Sequence, residues 1–414
     1  MKKFFIKHQF TAVLFTFMLL VVTALLFQVH ETVKGVIFAN TFLTTQLIAR
    51  EALVRLRNML VMKALIHTDY SSTFQKQGDT IRVKKPATYV ADEFGGTINL
   101  QTIGEDSVNV VLNHIADVSI AITSKEKALN IDDFGDQYLN PAMEAIAQKV
   151  DADIMSEVYK EVPFFVGVSG TTPDDLVDFA DARKILNINR VPQAMRRAVW
   201  DPNADAKFTV IPSIVNAEKS GSTLALREGS IGRIQGLDNY MSQNVVTHTA
   251  GTFTAVAAPK INTLAVVDSN TIILKGGAGT ETIKKGDCFY ITTGGKNYYY
   301  SAGADAAAVA GVVSVTTFQK VQAAHAVDDV IVFPDKTAGG HVSNLAFHRN
   351  AFAFVQRPLE APAGGATGYT VNFEGLSLRV VQGYNISTKV ETLSMDILYG
   401  IKAIYPQLAT RVLG

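Results

Sequence analysis

The chain has 414 residues, with 38 Lys+Arg against 38 Asp+Glu, 30 glycines, 12 prolines and one cysteine. That length allows two or three domains. Zero net charge excludes a global basic field of the kind that grips nucleic acid tightly, and the lone Cys288 excludes an internal disulfide or a cysteine-rich zinc site.

Residues 1–39 stand apart. Lys2, Lys3 and Lys7 precede Phe10–Phe27, a run without charge, Gly or Pro. A positive flank followed by such a run sits at the lower limit of a membrane span. No convincing small-residue cleavage site follows it. Three readings stand side by side: a membrane anchor, a signal segment, or sequence translated from upstream of the true start.

Thr44–His67 reads as one helix with the apolar stripe Ala49, Leu53, Leu56, Leu60 and Ala64. Glu51 and Arg55 form a favourable i,i+4 pair. Arg50, Arg57 and Lys63 add positive charge, which reads as a solvated basic face or a phosphate contact. From Phe74 the pattern turns to period two: a turn at Gly78-Asp79, then Ile81 and Val83 alternating with Arg82 and Lys84. Gly95-Gly96 reads as the tip of a long hairpin. Val108, Val110 and Leu112, then Val118, Ile120 and Ile122, continue as strands. A two-stranded ribbon is marginal alone in water, so this one is expected to lean on something else.

Asn140–Glu161 carries the strongest helix signal. Asn140 is expected to cap it, Pro141 suits its first position, and Pro163 stops it. Met143, Ala147, Val150, Ile154 and Val158 share one stripe, while Lys149, Asp153, Ser156 and Lys160 read as a solvated face. The rod is about 33 Å long, and the β-rich remainder is expected to be built around it. A second helix follows, with Thr172 as cap, Pro173 at its first position, Asp174 and Asp175 at its positive end, and Leu176, Phe179, Ala182 and Leu186 inward. RRAVWDP and KFTVIP read as short strands and Pro212–Lys219 as a short helix.

Residues 252–340 change texture. Strand-like runs at Thr263–Val267, Thr271–Leu274, Asp287–Thr293, Asn297–Ser301, Val309–Val315 and Asp329–Phe333 alternate with Gly-, Asn- and Ala-rich turns. That spacing suits a small β-barrel or sandwich inserted into a host fold. Beyond it, NLAFHRNAFAFVQRPLEAP mixes helix and strand signals, and the last forty residues alternate strongly and close the chain as buried strands.

Chemistry is hard to find. None of the eight histidines pairs at i,i+4 with another His or a Glu as a helical metal site would. His341 and His348 lie seven apart in an expected loop. Gly276-Gly277-Ala278-Gly279-Thr280 lacks the Gly-Lys-Ser/Thr ending of a phosphate loop. Asp132-Asp133 has no complementary carboxylate pair, no G-x-S-x-G elbow is present, and Cys288 reads as a small core residue. No catalytic, cofactor or metal residues are assigned, and no cofactor or enzymatic activity is expected.

LTTQLIAREALVRLRNMLVMKALIHTDY followed by FQKQGDTIRVKKPATYV, together with GLSLRVVQGYNISTKVETLSMDILYGIKAIYPQLATRV at the end, resembles the major capsid protein of tailed double-stranded DNA bacteriophages. The resemblance, over about residues 40–414, is to the Hong Kong 97-type α+β fold, in the branch of short-tailed Salmonella-phage coat proteins that carry an inserted domain. It implies a helical arm at 40–70, an extended β-ribbon loop and peripheral strands at 71–125, and a peripheral domain at 126–220 with the spine helix 140–161. It further implies an axial domain at 221–251 and 341–375, the inserted β-domain at 252–340, and closing peripheral strands at 376–414. Arg50, Arg55, Arg57 and Lys63 would then face the interior, toward DNA or scaffold. The partners implied are further copies of the chain as pentamers and hexamers in an icosahedral shell, a scaffolding protein, a portal, and packaged double-stranded DNA held without sequence preference. The implied location is the virion, assembled in the host cytoplasm. An encapsulin-like compartment and a membrane-anchored or exported β-rich surface protein are the alternative readings, the last taking residues 10–27 at face value.

Overall fold

The computed structural model describes residues 45–68, 80–84, 93, 107–122, 135–221, 223–334, 339–360, 362, 366–373, 376–387 and 390–414. The segment 1–39, the Gly95-Gly96 tip and Asp132-Asp133 lie outside the described residues. Among the described residues no helix is long and apolar enough to cross a membrane.

The architecture is α+β. Its first helices are α1 (Thr45–Met59) and the single turn α2 (Met62–Leu65). The long helix α3 spans Asn140–Glu161, as the periodicity predicts. It lies on an antiparallel sheet ordered Phe352–Arg357, Val390–Ala403, Leu376–Asn385, Ala366–Phe373, with His114–Ile122 paired along Val390–Ala403. Met143, Ala147, Val150, Ile154 and Val158 are all buried there, in one core with Ile48, Leu53 and Leu56 of α1 and the inward residues Phe354, Met395 and Tyr399 of the sheet.

Alternation along the strands sends Ala353, Val355 and Leu398 to the opposite face. On that face they meet Ile81, Val83, Val110 and Leu112. These four lie in or directly after an antiparallel pair, Thr80–Lys84 with Ser107–Val111. The pair therefore leans on the second face of the sheet that carries α3. The approach is close: a Cβ at Gly400 would meet the Val111 carbonyl oxygen at 2.4 Å.

A second sheet is ordered Phe165–Gly167, Ala409–Leu413, His341–His348, Arg196–Trp200, Leu237–Met241, Arg233–Ile234. Val199, Leu345 and Phe347 on one face extend the α3 core. Ala198, Trp200, Ala346 and Val412 on the other pack against Phe179 and Leu186 of α4 (Leu176–Ile188) and Phe208 of α5 (Pro202–Phe208). A third core, Phe253 to Phe333, is self-contained. It is built from two three-stranded sheets and a two-stranded pair around Phe289, Ile291, Tyr300 and Val313.

Several local expectations are corrected. The Thr44–His67 helix is broken after Met59, so Ala64 is exposed. Asn140 does not cap α3, because the chain already turns helically through a π-helical turn, Gly135–Leu139. The cap of α4 is Asp175, whose side chain accepts from Leu176 N–H and which forms a capping box with Asp178. KFTVIP is not a strand: Asp201 accepts from Asn203 N–H and Pro202 opens α5, which runs through Phe208. Thr263–Val267 makes only an isolated bridge, Ala265 to His325. Sheet membership also cuts across the segments drawn at 341–375 and 376–414. Phe352–Phe373 strands belong with α3, whereas Ala409–Leu413, buried on both faces, sits between His341–His348 and Phe165–Gly167.

Candidate functional site

The four basic residues of the arm do not form one patch. Arg50 and Arg57 are exposed, one heptad apart on the same side of α1. Arg55 lies on another side. Its Nε donates to Glu51 at 2.9 Å, and its Nη1 donates to Asp136 at 2.9 Å and to Asn140 Oδ1 at 2.5 Å. The hydrogen bond to Asp136, and then Glu51, push the guanidinium above its ordinary value despite partial burial. Arg55 thus pins α1 to the start of α3. Lys63 is buried in α2.

The residue that organises the arm is one the sequence reading passed over. Asp151, on α3, is 4% exposed. Its carboxylate accepts from the backbone N–H of Val61 at 3.0 Å and Met62 at 3.2 Å. Those donors would otherwise bond carbonyls one turn back, so Asp151 ends α1 and starts α2 without a Gly or Pro. Burial raises its pKa to about 6, against the N–H groups of Val61, Met62 and Lys63, which lower it. A signal was present: Asp151 lies four residues after Ala147 and three before Ile154, on the apolar stripe itself.

The face read as solvated is only partly so. Lys149 is exposed and pairs with Asp153 at 2.5 Å. Asp153 also accepts from the Tyr399 hydroxyl at 2.5 Å. Burial, and then this hydrogen bond to the Asp153 carboxylate, push the phenol strongly up.

The C-terminal end of α3 is closed by groups from far along the chain. Ser301 Oγ donates to the Lys160 carbonyl, and Gln319 Nε2 donates to the Glu161 carbonyl at 2.8 Å. The fully buried Arg411 donates from Nε to Val162 O at 2.8 Å, from Nη1 to Gly286 O at 2.6 Å and from Nη2 to Lys160 O at 3.2 Å. A cation at this helix end also suits its dipole. The Glu161 side chain takes Lys402 at 2.5 Å and Ala403 N–H at 3.0 Å; burial raises its pKa and Lys402 opposes the rise. Beside it, Tyr159 OH lies 3.0 Å from His248 Nδ1, and His248 Nε2 lies 2.7 Å from Asp287 Oδ1. Asp287 also accepts from Gly251 N–H and Lys284 N–H. The third core is therefore bolted to α3 by a buried polar network. Its exit is equally tight: Gly340 has φ +116°, and a Cβ there would come within 1.9 Å of the His248 carbonyl oxygen.

Of the remaining residues flagged in the sequence, His341 and His348 lie in a strand rather than a loop, and both are buried. Cys288 is buried in the strand Cys288–Thr293. Among the described residues no three His, Cys, Asp or Glu side chains converge as a metal site would.

No protein-family model matches this sequence, and no curated protein matches it. Among solved structures the chain is similar to one from Mycobacterium phage Che8, with 14% identity, 85% of this chain and 90% of that chain covered, and a TM-score of 0.47. It is similar to the capsid of Ralstonia phage GP4, with 10% identity, coverage of 84% and 86%, and a TM-score of 0.44. It is also similar to the virus-like particle from Pyrococcus furiosus, with 8% identity, coverage of 89% and 98%, and a TM-score of 0.38.

Proposed function

We propose that this chain is the major capsid protein of a tailed bacteriophage, a structural subunit whose copies close into an icosahedral shell around packaged double-stranded DNA. The observation that carries the reading is the order and seating of its elements. A helical arm crosses a 22-residue helix that lies on an antiparallel sheet. A ribbon is rooted on the far face of that sheet, and a separate β core is spliced between the strands Thr247–His248 and His341–His348. An arm, a long helix on a sheet and a separate β core, met in that order along the chain, support the Hong Kong 97-type reading. In this reading the β core is the inserted domain. In the same reading Arg50 and Arg57, the exposed pair on α1, meet phosphate or scaffold at the interior. Contacts there would be sequence-blind, since phosphate contacts position without reading bases.

The test is direct. The purified chain, expressed alone and with a candidate scaffold, is imaged by negative stain. Closed shells of uniform diameter are expected. A chain lacking Lys84–Thr97 is expected to remain a folded, soluble subunit that forms no shells. Normal shells from that deletion, or a chain that stays monomeric under every assembly condition, would overturn the reading.

A further inference from the structure

One corner of the second sheet gathers two arginines. Arg197 pairs across the sheet with Phe347, and the backbone N–H of Arg349 donates to Met195 O at 3.2 Å, so the two arginines flank one corner. Arg197 spends one N–H on the Ala64 carbonyl at 3.1 Å, closing α2. The Nε of Arg349 is buried, and among the described residues nothing accepts from it. One carboxylate, Asp238, stands in register with Arg197, and it is shared with Arg233 at 3.5 Å. Burial pushes the Arg197 guanidinium down; Arg349 adds to this, while Tyr240 and Asp238 oppose it. Around the corner, Met195 is 53% exposed and Tyr240 37%. Arg, Met and Tyr are the residues enriched at interface centres.

The opposite charge sits just before α4 and on its second turn. Asp174 is exposed and Asp181 half-buried, and they pair with Lys207 at 3.3 Å and Lys184 at 3.8 Å. Between them Val177 is 57% exposed. An exposed Val177 between two carboxylates complements Met195 and Tyr240 beside two guanidiniums.

We propose that the Arg197–Arg349 corner, with Met195 and Tyr240, receives the Asp174–Asp181 end of α4 from a second copy of this chain, as a head-to-tail contact. Two different patches joined in this way generate a ring when the rotation closes, which is what a capsomer requires. The proposal rests on the shell reading and deepens it by naming the surfaces between neighbours.

The experiment is oxidative crosslinking of a chain carrying both Met195→Cys and Val177→Cys. Within one chain Val177 lies about 16 Å along α4 from Ile188, the end nearest Met195, which is beyond disulfide reach. The native Cys288 is 1% exposed and stays out of the reaction. A reducible ladder of multimers from assembled particles is expected. In parallel, Arg349→Glu is expected to raise the concentration needed for assembly about tenfold or more, with the fluorescence melt of Trp200 unchanged. Particles without a ladder, or Arg349→Glu particles that assemble normally, overturn the contact and leave the shell reading standing. Arg349→Glu particles that assemble normally but come out depleted of DNA likewise overturn it, in favour of a phosphate site. A native chain that forms no particles fails the shell reading, and the contact falls with it.

Discussion

Replacing Asp151 by Asn separates charge from shape at the joint between arm and long helix. Unfolded, Asp151 releases its proton near 3.8; in the folded subunit it does so near 6. Between those values the folded state holds more protons than the unfolded one, so stability falls as pH rises through the window. The contribution is fully present below pH 4 and lost above pH 6. A difference of about two pKa units is worth about 3 kcal/mol, with little solvent screening at a side chain this buried. Asn cannot ionise and keeps one accepting oxygen, so it gives up one of the N–H bonds from Val61 and Met62, about 1 kcal/mol. Relative to the native chain, Asp151→Asn is therefore expected to gain about 3 kcal/mol between pH 4 and pH 6.5, ending more stable at neutral pH by about 2 kcal/mol. Urea denaturation at a series of pH values reads this through Trp200, the only tryptophan and 1% exposed. Other carboxylates bend both curves equally and cancel in the difference. Parallel curves for the two chains across pH 4 to 6.5 would refute the reasoning.

Three further outcomes are expected. Ile154→Ala, at a fully buried site on α3, should cost about 2–5 kcal/mol by urea denaturation, whereas Lys149→Ala on the exposed side should change stability by less than about 0.5 kcal/mol; equal midpoints would remove α3 from the centre of the core. Arg411→Met should cost about 3 kcal/mol or more, because the carbonyls of Lys160, Val162 and Gly286 lose a charged donor; a native-like melting curve would show that the end of α3 is closed some other way. On the proposed shell reading, Arg50→Gln with Arg57→Gln should change stability by less than about 0.5 kcal/mol and lower the nucleic acid retained per particle, read from the ratio of absorbance at nucleic-acid and protein wavelengths; unchanged retention would remove the proposed phosphate contact.

The parts of the fold that could be read in the sequence are those governed by local periodicity. Asn140–Glu161 is marked by its stripe and by Pro163, and most strands by alternation. The third core announced itself through regularly spaced turns. What escaped is decided by partners distant in sequence. The break after Met59 has no local cause, since it is made by a carboxylate ninety residues away. Arg55 carries the same charge as Arg50, but Asp136 and Asn140 claim it, a difference visible only once the arm has docked. Asp153 and Lys149 looked alike as polar residues on one face, until Tyr399 took the first. The Arg197–Arg349 corner is likewise formed by strands far apart in the chain.

The closure of α3 sets a timetable for synthesis. The helix leaves the ribosome long before its cap does: Ser301 follows the Lys160 carbonyl by 141 residues, Gln319 follows Glu161 by 158, and Arg411 follows Val162 by 249. Chains lengthen at about 5–20 residues per second, so the end of this helix waits several seconds with its carbonyls open to water. Arg411 lies in the strand Ala409–Leu413. A polypeptide cut short anywhere before it keeps an unfinished joint between helix and β core, however well the earlier strands have paired. The joint between helix and β core is thereby finished only once the strand Ala409–Leu413 has been made and has docked beside His341–His348.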